Sequence, residues 1–148
     1  MARIRRSVHP TDFSPASGPA LRKALELAKD NAATLLILHV LPALPVVGDA
    51  YIAPTAYDEM LNAQRAQAER SMERLVKRAR AAGVRATGTV LDSGAVADQI
   101  ARFAKRQRAD LIVMGTHGHG ILARALLGSV AERVINRAPC PVMTVKGR

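Results

Sequence analysis

The sequence predicts an α/β fold in which helices cover both faces of a parallel β-sheet. Short apolar runs alternate along the chain with longer segments of helical period, as in repeated β-α-β units. The clearest run is LLILHVL, residues 35–41, whose near-continuous apolar character is typical of a central strand covered on both sides. At 148 residues, and without an internal repeat, the chain is predicted to form one domain spanning residues 1–148.

Five strands are predicted. The first is unusually polar, and it is inferred partly from the helix that follows it. The third is polar and partly alternating, as expected of a strand at the edge of a sheet. In chain order the predicted strands are Ile4–His9, Leu35–Leu41, Val84–Leu91, Asp110–Met114 and Pro141–Val145.

Four helices are predicted between these strands. The first has Ser17 as its N-cap and Pro19 in its first turn. The second is long, Thr55–Ala82, and Gly83 is placed as the residue that ends it. The third has Val96, Ile100 and Ala104 on its inner face, and the fourth begins at residues 128–130.

A proline-rich linker separates the second strand from the long helix. Pro42, Pro45 and Pro54 punctuate it, and it is too apolar for a solvated tether. We expect this linker to form a flap over the edge of the sheet.

Composition limits the classes of function. Lys and Arg total 22 against 12 Asp and Glu, so the net charge is +10 and anionic partners are favoured in general. No apolar run approaches the ~20 residues of a membrane-spanning helix, and the basic N-terminus lacks the apolar segment of a signal peptide, so a cytoplasmic location without membrane partners is expected. Cys140 is the single cysteine and is interpreted as a buried structural thiol.

The stretch MGTHGHGILARALLGSVAERV, residues 114–134, places Gly115, Gly118, Gly120 and Gly128 between a buried strand and a helix. A Walker loop is excluded because no lysine stands at the required position. A dinucleotide fingerprint is disfavoured because no acidic residue follows about twenty positions later. The remaining spacing is G-x2-G-x9-G-S, which leads to a helix start, where unpaired amides and the helix dipole bind phosphate without a lysine.

Two interpretations of this stretch are open. Ser129 and Glu132 fit a capping box, in which case the glycines only form turns. Capping alone does not explain why three glycines and His117 gather at the end of one buried strand. Anion binding is therefore the favoured interpretation.

Asp12 follows the first strand in PTDFS, residues 10–14. It could accept hydrogen bonds from ribose hydroxyls if strands one and four are neighbours, or it could hold the loop through its own backbone. His117 and His119 form an H-x-H pair, but no further ligands lie nearby, so no metal site on protein side chains is predicted. His39 is interpreted as a structural histidine.

The basic residues of the second and third helices form a further candidate site. They could follow a nucleic-acid backbone, but the chain has two Phe, two Tyr and no Trp to stack on bases, so a solvated basic face is favoured over a nucleic-acid partner. These residues are Arg65, Arg70, Arg74, Lys77, Arg78, Arg80, Arg102, Lys105, Arg106 and Arg108.

The segment from DLIVMGTHGHG to PVMTVK resembles the C-terminal signature of the universal stress protein family, and the glycine spacing resembles its ATP-binding branch. PTDFS and ILHVLP resemble other landmarks of the family. The resemblance implies a doubly wound five-stranded parallel sheet in the order 3-2-1-4-5. It also implies a homodimer paired through the last strand, Val142–Val145. The polar first strand and His119–Gly120, where the family often has an arginine, depart from the family pattern.

The resemblance also implies a set of site residues. Asp12 would bind the ribose, and the backbone of Val40 would meet adenine. Pro10, Thr11 and Met114 would line the nucleoside pocket. The phosphates would be surrounded by Gly115, His117, Gly118, Gly128, Ser129 and Val130. The ligand would be ATP, with Mg²⁺ or Mn²⁺ bound through its phosphates.

The predicted function is that of an ATP-binding regulatory or stress-response factor with no catalytic residues. A slow ATPase is one alternative, although the loop has no lysine to stabilise a developing charge. The other alternative is a dimerising or nucleic-acid-binding module whose nucleotide loop is empty.

Overall fold

The computed structural model describes residues 3–44, 52–117 and 127–147. Within them a five-stranded parallel sheet has the order β3-β2-β1-β4-β5, which confirms the predicted order and fold class. The strands are β1 (Arg6–Pro10), β2 (Thr34–Val40), β3 (Arg85–Leu91), β4 (Leu111–Gly115) and β5 (Val142–Val145). The helices are α1 (Gly18–Asn31), α2 (Pro54–Ala81), α3 (Val96–Arg106) and α4 (Ser129–Arg137), with a short 3-10 turn at Pro15–Ser17.

A hydrophobic cluster lies on each face of the sheet. On one face, Leu36 and Leu38 pack with side chains of α3 and α4, including Ile100 and Val134. On the other face, Leu35, Ile37 and Val113 pack with side chains of α1 and α2. Burial on both faces explains the continuous apolar run of β2 and accounts for its prediction as a central strand.

The first strand lies at the centre of the sheet despite its polar sequence. It was expected at Ile4–His9, but β1 begins two residues later and includes Pro10. Ser7 and His9 are fully buried, and the His9 ring donates from Nδ1 to the carbonyl of Val113 on β4 at 2.9 Å. A hydrogen bond of this kind removes part of the cost of burying a polar ring.

For the other strands and for α2, each predicted boundary lies within one residue of the boundary in the structure. Pro54, predicted as part of the linker, is the first residue of α2, where a proline is tolerated because its missing N–H would have no partner. Gly83 follows α2 with a φ of +86°, as its predicted role requires. Ser17 does precede α1, but its hydroxyl donates to Ser14 O at 2.7 Å and does not cap the helix.

The two edge strands of the sheet are β3 and β5. The prediction of β3 as an edge strand is confirmed. Cys140, just before β5, is half-buried against the α3–α4 cluster, and this burial raises the pKa of its thiol. Among the described residues, no helix is long and apolar enough to cross a membrane.

The predicted flap lies largely outside the described residues, which omit 45–51 and therefore Pro45. At its start, Pro42 accepts a hydrogen bond from Gln64 Nε2 of α2 at 2.9 Å.

Candidate functional site

The candidate site lies at the carboxyl ends of the strands, where the chain reverses its direction across the sheet. From β1 the chain continues to β2 on one side, and β4 lies on the other side. The ladder of β1 with β2 continues to Pro10↔Leu38, whereas the ladder of β1 with β4 ends at Val8↔Ile112. The two central strands therefore separate at this end, as expected at the switch point of a doubly wound sheet.

A cavity of about 690 Å³ opens at this point. Its described lining comes from the loop after β1, the ends of β2 and β4, the first turn of α4 and one side of α2. It includes every predicted site residue that the structure describes: Pro10, Thr11, Asp12, Val40, Met114, Gly115, His117, Gly128, Ser129 and Val130. Gly118, together with His119 and Gly120, lies outside the described residues.

Side-chain hydrogen bonds fold the loop after β1 tightly. Thr11 Oγ1 accepts from the amide of Phe13 at 3.0 Å, and Asp12 Oδ1 accepts from the amide of Ser14 at 2.9 Å and from its hydroxyl at 2.5 Å. Phe13 has a φ of 62°, a conformation that is unusual for a bulky residue. Asp12 thus does hold the loop, which was one of its two predicted roles, and its half-buried side chain also lines the cavity.

Beside this loop, two rings form part of the cavity wall. His39, at 8% exposure, donates from Nδ1 to the carbonyl of Thr11 at 2.7 Å. The ring of Phe13 packs on it with a centroid distance of 4.4 Å. His39 is therefore a hydrogen-bonded structural histidine, as predicted, and it also contributes to the cavity.

The capping box at Ser129 and Glu132, which was the alternative to anion binding, is not formed. Gly128 is the N-cap of α4, and no side chain of the described residues caps this helix. The first helical bond runs from Glu132 N to Gly128 O at 3.0 Å. The amides of Ser129, Val130 and Ala131 precede that bond, so they have no carbonyl partner within α4. These three residues line the cavity, and the positive end of the helix dipole therefore lies at it.

Gly128 has a steric role and not a conformational one. Its φ is −64°, which any residue adopts, and its amide donates to Thr116 O at 2.7 Å. A Cβ at this position would lie 2.5 Å from that same carbonyl oxygen. The interpretation of this glycine as a turn residue is therefore wrong, since close backbone approach is what requires it.

One wall of the cavity was missed from the sequence. Gln64, Gln67, Ala68 and Ser71 of α2 line it at helical spacing. The same spacing also marks an ordinary helix face, so the sequence held no signal that distinguished these residues. Their part in the cavity follows from the packing of α2 against β2 and β3.

The described lining of the cavity contains few charged side chains. Asp12 is its one carboxylate, and it contains no lysine or arginine. No group of three or more potential metal-ligating side chains occurs among the described residues. Within the described part of the cavity, an anion would therefore meet backbone amides and His117, and no lysine or arginine.

Comparison with known proteins identifies related chains. A sequence model of the universal stress protein family matches residues 3–146. Universal stress protein MJ0531 of Methanocaldococcus jannaschii is 37% identical over 142 residues, covering 96% of this chain and 82% of that protein. The solved structure of the M. jannaschii protein MJ0577 has a TM-score of 0.84 at 27% identity and 99% coverage of both chains. A universal stress protein solved in complex with cAMP has a TM-score of 0.67 at 26% identity, covering 99% of this chain and 100% of that chain.

Proposed function

Because the chain belongs to the universal stress protein family, we propose that its cavity binds ATP and that the protein is a nucleotide-dependent regulatory factor of the stress response. The observation that carries this proposal is the meeting of Asp12, Val40 and the uncapped start of α4 at one cavity. A solved family member in complex with cAMP gives independent support for an adenine nucleotide.

The base and ribose are assigned to the loops after β1 and β2. The cavity volume of about 690 Å³ is within the range of small-molecule sites. In this proposal adenine meets the backbone of Val40 and the apolar side chains of Pro10 and Met114. Asp12 accepts hydrogen bonds from the ribose hydroxyls while its contacts with Ser14 hold the carboxylate in position.

The phosphates are assigned to the start of α4. The amides of Ser129 and Val130 donate to phosphate oxygens, and Gly128 allows the backbone of residue 116 to approach closely. Gly115 and His117 line the same part of the cavity, and Gly118 is included by its place in the motif. A Mg²⁺ or Mn²⁺ ion would be held by the phosphates and would neutralise part of their charge.

The proposed role is binding and not turnover. Phosphoryl transfer requires groups that stabilise the charge of the transition state, commonly a lysine or arginine in addition to the metal ion that accompanies ATP. The described lining offers backbone amides and no basic side chain except histidine. ATP would act by favouring one conformation or assembly state through differential affinity.

Binding of MgATP to the wild-type protein tests the proposal. We expect ATP with magnesium to raise the melting temperature, because a ligand that binds the folded state stabilises it. Isothermal titration calorimetry would give Kd, and a protein that shows neither heat of binding nor thermal stabilisation would refute the assignment.

The Asp12→Asn variant tests the ribose contact. An amide oxygen still accepts from the Ser14 amide, but the charged acceptor is lost, and we expect Kd for ATP to rise about tenfold. Asp58→Asn, an exposed change on α2, is the control for the loss of one carboxylate. Ser14→Ala removes the 2.5 Å contact and keeps the Asp12 carboxylate. An equal loss of affinity in Ser14→Ala would mean that Asp12 acts through the loop alone.

A further inference from the structure

Positive charge is concentrated where the strands start, on the side of the sheet opposite the cavity. It comes from several separate segments of the chain, each of which contributes only a few cations. In a parallel α/β fold, strands begin and helices end at the same edge, so residues from separate parts of the sequence meet there. We define the basic end as the exposed cations at the starts of β1 and β3, in the last turns of α1, α2 and α3, and in the turn after α3. They are Arg3, Arg5, Arg6, Lys29, Arg78, Arg80, Arg85, Lys105, Arg106 and Arg108.

Hydrogen bonds show that these segments are adjacent. Arg3 donates to Asn31 O at 3.3 Å, Arg85 donates to Ala32 O at 2.6 Å, and Arg6 donates to Gln107 O at 2.9 Å. The sheet register aligns Arg6 with Thr34 and Thr34 with Arg85. At about 4.8 Å per strand, the Cα atoms of Arg6 and Arg85 are about 10 Å apart.

Little negative charge balances this surface. Asp30 and Asp110 are the acidic residues in the same described segments, and Asp110 Oδ2 accepts from the backbone amides of Arg5 and Arg6 at 2.8 and 3.0 Å. Arg137, in the last turn of α4, pairs with Asp98 and is therefore not counted in the basic end. No ion pair between described residues includes a member of the basic end. Several of the cations do offset the negative ends of helix dipoles, but a guanidinium that donates once to a carbonyl keeps its full charge and further donors.

We propose that the basic end binds the phosphate backbone of duplex nucleic acid without reading its sequence. Duplex DNA presents about one negative charge per 1.7 Å of its axis, so a surface crossing several strands faces several phosphates. Most of the cations are arginines, whose planar donors suit phosphate oxygens. Among the described residues the basic end has no aromatic ring for stacking on single-stranded bases, since Phe13 lies at the cavity and Phe103 in the core.

A lipid surface fits this end less well. The exposed large hydrophobic residues of the described chain lie before or early in α2, at or within α4, and on β5: Ile52, Tyr57, Met60, Leu127, Val130, Ile135 and Met143. Only Ile135, in the last turn of α4, lies at the edge where the helices end, and one aliphatic side chain is far less than the apolar face with which a helix binds a membrane interface. The basic residues of α2 and α3 taken alone favour a solvated face, whereas the fold adds the arginines of β1 and β3 to the same surface.

Fluorescence anisotropy with a labelled 20-base-pair DNA of arbitrary sequence tests the proposal. We expect binding at 50 mM NaCl that weakens steeply with salt. A basic-end triple variant consists of Arg5→Gln, Arg78→Gln and Arg108→Gln, which spare the arginines that donate to backbone carbonyls. It should raise Kd at least about tenfold and lower the slope of log Kd against log salt by about 2.7, at about 0.9 per phosphate contact.

The matched control removes the same charge elsewhere, at exposed positions along the helices: Arg22→Gln, Arg70→Gln and Arg133→Gln. We expect its salt slope to remain that of the wild type. Equal losses in the two triple variants would reduce the effect to net charge and overturn the proposal. It would also be overturned by no DNA binding at 50 mM NaCl, or by binding only to vesicles containing anionic lipid. Affinity for MgATP should be the same in both triple variants, so the outcome is independent of the nucleotide site.

Discussion

At the scale of single residues, the central strand shows how a polar sequence is accommodated in a core. His9 is fully buried, and its Nε2 has no hydrogen-bond partner among the described residues. Burial lowers the pKa of His9 from 6.5 to about 4, against smaller opposing effects of the Val113 carbonyl and the charge of Asp12. Neutral imidazole that donates from Nδ1 is therefore the form that stabilises the fold.

This difference in pKa predicts a loss of stability in mild acid. The unfolded chain binds a proton at His9 more readily than the folded chain does, so the stabilisation is complete above about pH 6.5 and is lost as the pH falls towards 4. The loss corresponds to about 3 kcal/mol of unfolding free energy. Urea denaturation at pH 7.0, 5.5 and 4.5 would measure it.

The His9→Asn variant separates this effect from the titration of carboxylates. Its amide nitrogen can donate to Val113 O in place of Nδ1, but it does not titrate. We expect the variant to be less stable than the wild type at pH 7 and to lose less stability at pH 4.5. The same pH dependence in both proteins would show that His9 is not the responsible group.

At the scale of elements, the start of α4 combines a structural and a functional requirement. The helix begins against β4 because the amide of Gly128 donates to Thr116 O, and the absence of a side chain at Gly128 permits this close contact. The same contact places the free amides of the first turn of α4 at the cavity. The glycine therefore positions the anion-binding amides by allowing the two backbones to approach.

Gly128→Ala tests this close approach. The added Cβ would meet backbone atoms of Thr116, which have little freedom to move, so we expect a loss of about 1–3 kcal/mol in unfolding free energy. Gly18→Ala is the control, because Gly18 has a helical φ of −56° and ψ of −49°. The atom nearest to an added Cβ there would be a nitrogen of the flexible Arg22 side chain, at 3.5 Å. The control should be neutral or stabilising by up to about 1 kcal/mol. Urea denaturation of both variants makes the comparison, and a neutral Gly128→Ala would contradict the steric argument.

At the scale of the whole molecule, the two ends and the two edges of the sheet have different surfaces. The carboxyl ends of the strands carry the cavity, and their starts carry the basic end. β5 is an edge strand of four residues, and Met143 on it is 37% exposed. An uncovered edge offers backbone groups for pairing with another strand. We propose that β5, Val142–Val145, pairs with β5 of a second copy in a homodimer.

A charge on this edge strand should prevent pairing. We expect Met143→Lys to convert the wild-type dimer to a monomer, because lysine on an edge strand opposes strand addition. Met60→Lys, at a 44% exposed methionine of α2, controls for the added charge. Sedimentation velocity measures the assembly state. A wild-type monomer, or a Met143→Lys dimer, would refute pairing through this strand.

The sequence by itself determined the fold class and identified part of the cavity lining. Hydrophobic period distinguishes helices from strands, and the apolar run of β2 indicated burial on both faces because local composition records the environment of each strand. Asp12 after β1 and the glycines at and after the end of β4 were recognised as site candidates because ligands of doubly wound sheets bind at strand ends. Strand order came from resemblance to a family and is confirmed. The candidate roles of Val40, Pro10, Thr11 and Met114 came from the same resemblance.

Only the tertiary structure decided those features that require contacts between segments distant in the sequence. The α2 wall of the cavity, the burial of His9 beside Val113 and the clash that keeps residue 128 a glycine all depend on packing partners far away in the chain. The basic end could not be predicted from the sequence either, because its charges come from separate stretches of the chain that the parallel sheet brings to one edge. The hydrophobic pattern of a segment indicates which of its faces are buried. Which residues bury those faces depends on the three-dimensional arrangement of the segments.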